Sequence, residues 1–276
     1  MLTIVILTAI ALFLGLLIYF VNKAVPIKVE GIEQTEKIAG ILPGMNCGAC
    51  GHPGCFAFAQ ALTKEPELMA EGRCAAAIQS ESSVKALEQA LGITLDVSAM
   101  SQRALVHCNG NSEAVHNYSG VKTCKAATQL MHGYKKCLYA CLGLGDCVNV
   151  CPQGAISLKK ENGVAVVDVD KCTGCGLCIS ECPQNVIELV PSGTKISFLC
   201  NYIPLRDIPG RGKCDAGCIH CRKCLNSCEF GAINWNKERG IPEFDIEKCT
   251  LCLKCVEACP DNTLAEFIKE KVAAAR

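Results

Sequence analysis

The stretch CTGCGLCISECP, Cys172 to Pro183, puts four cysteines into eleven residues, and CTLCLKCVEACP, Cys249 to Pro260, does so again. Thiols at that density are there to be linked or ligated. The chain has 24 cysteines among 276 residues, only 5% aromatics and a single Trp, so part of its stability must come from those links. The question is whether sulfur meets sulfur or sulfur meets metal.

The N-terminus bears on that choice. From Leu2 to Val21 there are 20 residues without a charge, enough for a helix to cross a bilayer. No basic side chain precedes the run, and Lys23 and Lys28 follow it. That is the pattern of an uncleaved anchor rather than of a signal peptide. The excess of positive charge then places everything after Asn22 in the cytoplasm, where thiols stay reduced and a disulfide framework is not expected. The formal net charge is zero, with 27 basic and 27 acidic residues, which argues against a general nucleic-acid binder.

An internal repeat organises the second half. KKCLYACLGLGDCVNVCPQGAI and GKCDAGCIHCRKCLNSCEFGAI align without gaps at an offset of 77 residues. Cys137, Cys141, Cys147 and Cys151 fall on Cys214, Cys218, Cys224 and Cys228, and Cys172, Cys175, Cys178 and Cys182 fall on Cys249, Cys252, Cys255 and Cys259. Each unit reads as two short strand pairs with a cysteine-bearing helical turn after each loop. The expected fold is α+β. An N-terminal transmembrane helix (1–22) and a connector (23–40) lead into a small cysteine-ligated iron–sulfur domain (41–80). A linker segment carrying Cys108 and Cys124 (81–125) follows. Two tandem bacterial-ferredoxin-like modules (126–195 and 214–264) flank an inter-module segment (196–213), and a tail (265–276) ends the chain.

The spacing selects the metal. Three thiolates in C-x2-C-x2-C converge on one 4Fe-4S cube, and a fourth Cys before Pro points away to a second cube. Zinc would favour two CxxC pairs across a longer loop. The first module is therefore expected to hold one 4Fe-4S cluster on Cys137, Cys141, Cys147 and Cys182, and another on Cys151, Cys172, Cys175 and Cys178. In the second module Cys228, Cys249, Cys252 and Cys255 hold one cluster. Its companion takes Cys224 and Cys259 together with either Cys218 and Cys221, which standard spacing favours, or Cys214 and Cys218, which the repeat favours. Cys47, Cys50, Cys55 and Cys74 supply a further set, with Gly48, Gly51 and Gly54 letting the backbone come close. That makes five clusters. Cys108, Cys124, Cys200 and Cys214 are left over, as ligands of a sixth cluster or as free structural thiols.

Other chemistry is missing from the sequence. No G-x-G-x-x-G fingerprint appears, and GRGKC at Gly210 lacks the Ser or Thr that a phosphate loop needs. No catalytic triad or carboxylate pair stands out. His52 and His220 sit beside cluster cysteines, either tuning them or as ordinary loop residues. Several one-electron centres in one chain make a wire, with the substrate chemistry on another subunit.

The uncharged helix, LPGMNCGACGHPGC…GRC, VHCNGN…TCKAA, KKCLYACLGLGDCVNVCPQGAI and the paired ferredoxin runs, in that order, resemble the RnfB family, the B component of the Rnf ion-translocating ferredoxin:NAD oxidoreductase, in a long form with two ferredoxin modules. One departure is Glu229, where the repeat has Pro152. The resemblance implies a membrane complex with RnfA, RnfC, RnfD, RnfE and RnfG. It implies electrons taken from soluble reduced ferredoxin, NAD and flavin held by other subunits, and turnover linked to Na+ or H+ movement. A role as electron donor to a redox-sensing transcription factor is the alternative within the family, and a zinc or metal-free structural protein is the alternative outside it.

Overall fold

The computed structural model describes residues 2–24, 31–110, 112–129, 132–202 and 212–267; most of the expected tail lies outside them. The chain begins with α1 (Leu2–Ala24), 23 residues of continuous helix. Its described apolar side chains, among them Ile4, Leu12, Phe13 and Phe20, are all exposed. Counting only described residues, no helix is long and apolar enough to cross a membrane.

A helical domain follows, made of α2 (Ile32–Ile41), α3 (Cys55–Lys64), α4 (Glu67–Ala70), α5 (Glu81–Leu91) and α6 (Val97–Met100). The sequence SESSVKALEQALG dictates α5 in detail. Ser80 caps it by accepting from the Ser83 N–H at 3.1 Å, and Gly92 ends it at φ 69° with its N–H on the Glu88 carbonyl. Val84 and Leu87 then face inward to meet Ile38, Phe58, Leu62 and Met69 in one core. Cys50, Cys55 and Cys74 pack against the same core, so one small hydrophobic cluster positions most of the N-terminal thiols.

The rest of the chain is the repeat. β1 (Gln102–Val106), α7 (Cys124–Gln129), α8 (Asp146–Val150), β2 (Ile156–Leu158), β3 (Ala165–Val167), α9 (Leu177–Glu181) and β4 (Ile187–Pro191) form the first unit. β5 (Ile196–Phe198), α10 (Lys223–Asn226), β6 (Ile233–Asn236), β7 (Ile241–Phe244), α11 (Lys254–Glu257) and β8 (Leu264–Glu266) form the second. Each has one inner antiparallel pair, β2 with β3 and β6 with β7. Each has one outer pair, β1 with β4 and β5 with β8. β1 comes from the 81–125 segment and β5 from the 196–213 segment, so parts of both expected connectors are strands of the repeat. The 203–211 portion lies outside the described residues.

The two units face each other across an approximate twofold axis. Cys108 and Cys200, each two residues past its outer strand, pair as an antiparallel bridge. The Asn109 amide donates to the Asn262 carbonyl at 3.1 Å, and the Asn201 amide donates to the Asn185 carbonyl at 3.1 Å. Such reciprocal contacts, in which each partner's residue meets the other's equivalent, are the mark of a twofold interface. Leu105, Leu199 and Phe267 bury one another in a small core at the junction.

Candidate iron–sulfur sites

None of the 24 cysteines is in a disulfide. Among the described residues no group of three or more His, Cys, Asp or Glu draws up around one point as a single ion requires. The thiols stand instead around cavities. Cys47, Cys50, Cys55 and Cys74 line one. Cys151, Cys172, Cys175 and Cys178 line a second. Cys218, Cys221, Cys224 and Cys259 line a third, and Cys228, Cys249, Cys252 and Cys255 a fourth. Each leaves between about 330 and 400 Å³ free of protein atoms, mouth included.

Local backbone explains how the thiols get there. The Cys55 N–H is held at 2.8 Å by the Asn46 side chain, which starts α3 beside the Cys47 loop. In the repeat, peptide N–H groups point at sulfur, and the first two such bonds fall at equivalent places. Ala155 donates to Cys151 and Ala232 to Cys228, both at 3.3 Å. Ala104 donates to Cys172 at 3.4 Å and Thr263 to Cys259 at 3.3 Å. Such bonds favour thiolate and set the potential of a cluster bound there.

Burial works against the bare thiolates. Desolvation first, then the nearness of other thiols, pushes Cys147 and Cys178 up to about 12. The same burial pushes Cys74 to about 11, partly countered by the Ala77 N–H, and Cys255 to about 11 beside Cys249. Thiols so raised need a strongly charged partner before they give up their protons, and iron is such a partner. Cavities lined by four thiols, peptide N–H groups aimed at sulfur and buried thiols therefore suit a 4Fe-4S core.

Four of the expected ligand sets thus each line a single cavity. The set expected on Cys137, Cys141, Cys147 and Cys182 is drawn up differently. The thiols that Cys147 feels are those of Cys141, Cys182 and Cys124, then Cys178. Cys124 gets there because Asp146, in the cysteine loop, accepts from the Cys124 and Lys125 N–H groups at 2.9 and 3.0 Å. A carboxylate accepting from the first N–H groups of a helix stabilises that helix end. The Cys124 thiol also meets the Leu144 peptide N–H. Cys137 instead has the Cys214 and Cys108 thiols as neighbours.

The sets lie in two series. Cys47 lies beside Cys175, Cys147 beside Cys178, and Cys224 beside Cys255. Both histidines are held by their surroundings. His52 packs on Phe58 at 5.3 Å, and His220 Nδ1 meets the Gly240 carbonyl at 2.6 Å.

Known proteins place the pattern. A family described as "4Fe-4S dicluster domain" matches residues 135–186 and 217–263, and one described as "Putative Fe-S cluster" matches residues 42–68. The chain is 34% identical over 95% of its length to the B component of the ion-translocating oxidoreductase complex of Methanosarcina acetivorans, covering 96% of that protein. It is 32% identical over 90% of its length to the B component of the Na(+)-translocating ferredoxin:NAD(+) oxidoreductase complex of Acetobacterium woodii, covering 74% of it. It is also 32% identical over 96% of its length to the proton-translocating counterpart of Clostridium ljungdahlii, covering 91%.

Proposed function

The chain belongs to the RnfB family, the B components of ion-translocating oxidoreductase complexes, and from that premise we propose that it takes electrons from reduced soluble ferredoxin and passes them into a membrane complex coupling ferredoxin:NAD oxidoreduction to Na+ or H+ translocation. The observation that carries this is that the thiol sets line up in two series, three sets from Cys47 to Cys147 and two from Cys224 to Cys255, each set beside the next in its series. When loaded, each set supplies a one-electron carrier. The chain's own part is to hold the carriers close and to keep them buried.

Two ends of the series differ in what they face. Cys221 and Cys252 of the second module are exposed, and Ile219 and Phe230 beside them are each 49% exposed. This is the end proposed to meet ferredoxin. The N-terminal set follows α1 in the chain. α1 is proposed as a single membrane span on the strength of the sequence, since Leu2 to Val21 is 20 residues without a charge, the length a helix needs to cross about 30 Å of bilayer core. On that reading the folded body lies on the cytoplasmic side, and the partners are RnfA, RnfC, RnfD, RnfE and RnfG, with NAD and flavin on those subunits.

Deleting the gene and assaying ferredoxin-dependent NAD reduction in washed membranes tests the reading. Loss of the activity, regained on re-expression, is expected. Activity that survives deletion overturns the proposal and leaves the reductant role.

A further inference from the structure

The four cavity-lined sets and the Cys141 set account for 20 thiols once Cys124 joins the latter. The remaining four are Cys108, Cys137, Cys200 and Cys214, and they meet at the approximate twofold axis. Cys108 and Cys200 are paired across it. Cys137 stands beside Cys214, and these two are equivalent at the 77-residue offset. Cys214 lies beside both Cys108 and Cys200. The surroundings repeat as well: the Cys141 N–H donates to Cys108 at 3.4 Å, and the equivalent Cys218 N–H donates to Cys200 at 3.3 Å. Cys137 and Cys200 are buried, at 5% and 7% exposure, and Lys135 stands near Cys108.

We propose that Cys108, Cys137, Cys200 and Cys214, two from each module, form the site of a sixth 4Fe-4S cluster on the axis, and that Cys124 takes the place of Cys137 in the cluster of Cys141, Cys147 and Cys182. Neither module owns the sixth site. Its thiols adjoin Cys141 on one side and Cys218 on the other, so it closes the gap between two otherwise separate series and makes one continuous path from Cys47 to Cys255. This rests on the reading that the thiol sets hold clusters.

The full chain, purified in detergent without oxygen, is assayed for iron and acid-labile sulfide. About 24 iron atoms per chain are expected for six cubes. About 20 overturns the sixth site and leaves the other clusters standing, whereas iron near zero overturns both. Substitutions then test the ligands by additivity. Cys137→Ser and Cys214→Ser are each expected to remove about four iron atoms, and the double variant the same four. A double variant losing about eight puts the two in different clusters and overturns the assignment. Cys124→Ser with Cys137→Ser is expected to lose about eight, and a loss of about four overturns the exchange. The count on the unmodified chain needs no variant, so a substitution that misfolds does not shield the proposal.

Discussion

The two ferredoxin-like modules have one backbone and two ways of making it. Four left-handed positions carry glycine in the first module and another residue in the second: Gly143, Gly145, Gly174 and Gly176, with φ from 72° to 90°. At the 77-residue offset the second module has His220, Arg222, Leu251 and Leu253, with φ from 56° to 60°. Each costs about 1 kcal/mol that glycine avoids. At two of these positions in the first module space itself demands glycine. A Cβ on Gly143 would run into the carbonyl oxygen of Gly163, and one on Gly174 into that of Gln102. The second module turns the same corners with side chains that do something else: His220 bonds the Gly240 carbonyl, and Arg222 lies 5.0 Å over the Trp235 ring. The first is the more buried. Cys141, Cys147, Cys172 and Cys178 are all buried, against Cys255 alone of their equivalents. A tightly packed module in mid-series and a looser one at the end suit a carrier that must be shielded in its middle and reached at its tip.

The sharpest way to break this comparison is to put alanine at one equivalent position in each module. Gly143→Ala meets both the left-handed penalty and the Gly163 backbone, and about 3 kcal/mol or more of stability should go. His220→Ala already has a left-handed residue to replace, and loses one hydrogen bond worth about 1 kcal/mol. Thermal unfolding of the loaded chain reads both. Equal losses would show that the glycines of the first module are incidental.

Next in size is the difference in ligand supply. The second module keeps Cys221 inside its C-x2-C-x2-C run, whereas the first has Leu144 there and brings Cys124 to the Leu144 peptide from outside. Cys124→Ser should lose about four iron atoms, and adding Leu144→Cys should restore them by giving the first module the second module's arrangement. Failure to restore would mean that α7 contributes more than a thiol. The Lys125–Glu181 ion pair at 2.5 Å, which ties α7 to α9, is the first place to look.

That difference also marks how far the sequence could be read. The grouping of the ferredoxin thiols around shared cavities was legible because it is local: three residues of spacing bring them to one cavity, and the strand pairs follow from the repeat. The N-terminal quartet and α5 were legible for the same reason, through loop glycines and a Ser cap. Cys124 was not, because it lies 20 residues before Leu144 and arrives only through the Asp146 cap, a tertiary contact. Yet the repeat held the clue. Cys137 aligns with Cys214, so once standard spacing favours Cys218 and Cys221 in the second module, Cys137 is the odd thiol of the first. Leu144 in place of Cys221 then requires a ligand from elsewhere. The departure at Glu229 also resolves in three dimensions. Glu229 pairs with Lys254 at 2.5 Å on the surface, where the first module has Pro152 and Leu177.

The smallest expected effect comes from exchanging glycine and arginine at one equivalent position. Arg222→Gly relieves about 1 kcal/mol of left-handed strain. It gives up a stacking contact worth about 0.5–1 kcal/mol and costs about as much again in unfolded-chain entropy. The terms nearly cancel, so the melting temperature of the loaded chain should stay within about 2 °C. The reverse change, Gly145→Arg, has no such cancellation. The site has room, since the nearest atom to a Cβ there is Leu158 Cδ1 at 3.8 Å, but φ is 90° and the equivalent of Trp235 is Leu158, which offers no ring to a guanidinium. A fall of about 2–4 °C is expected. If both changes prove silent, backbone strain does not distinguish the modules, and their difference lies in burial alone.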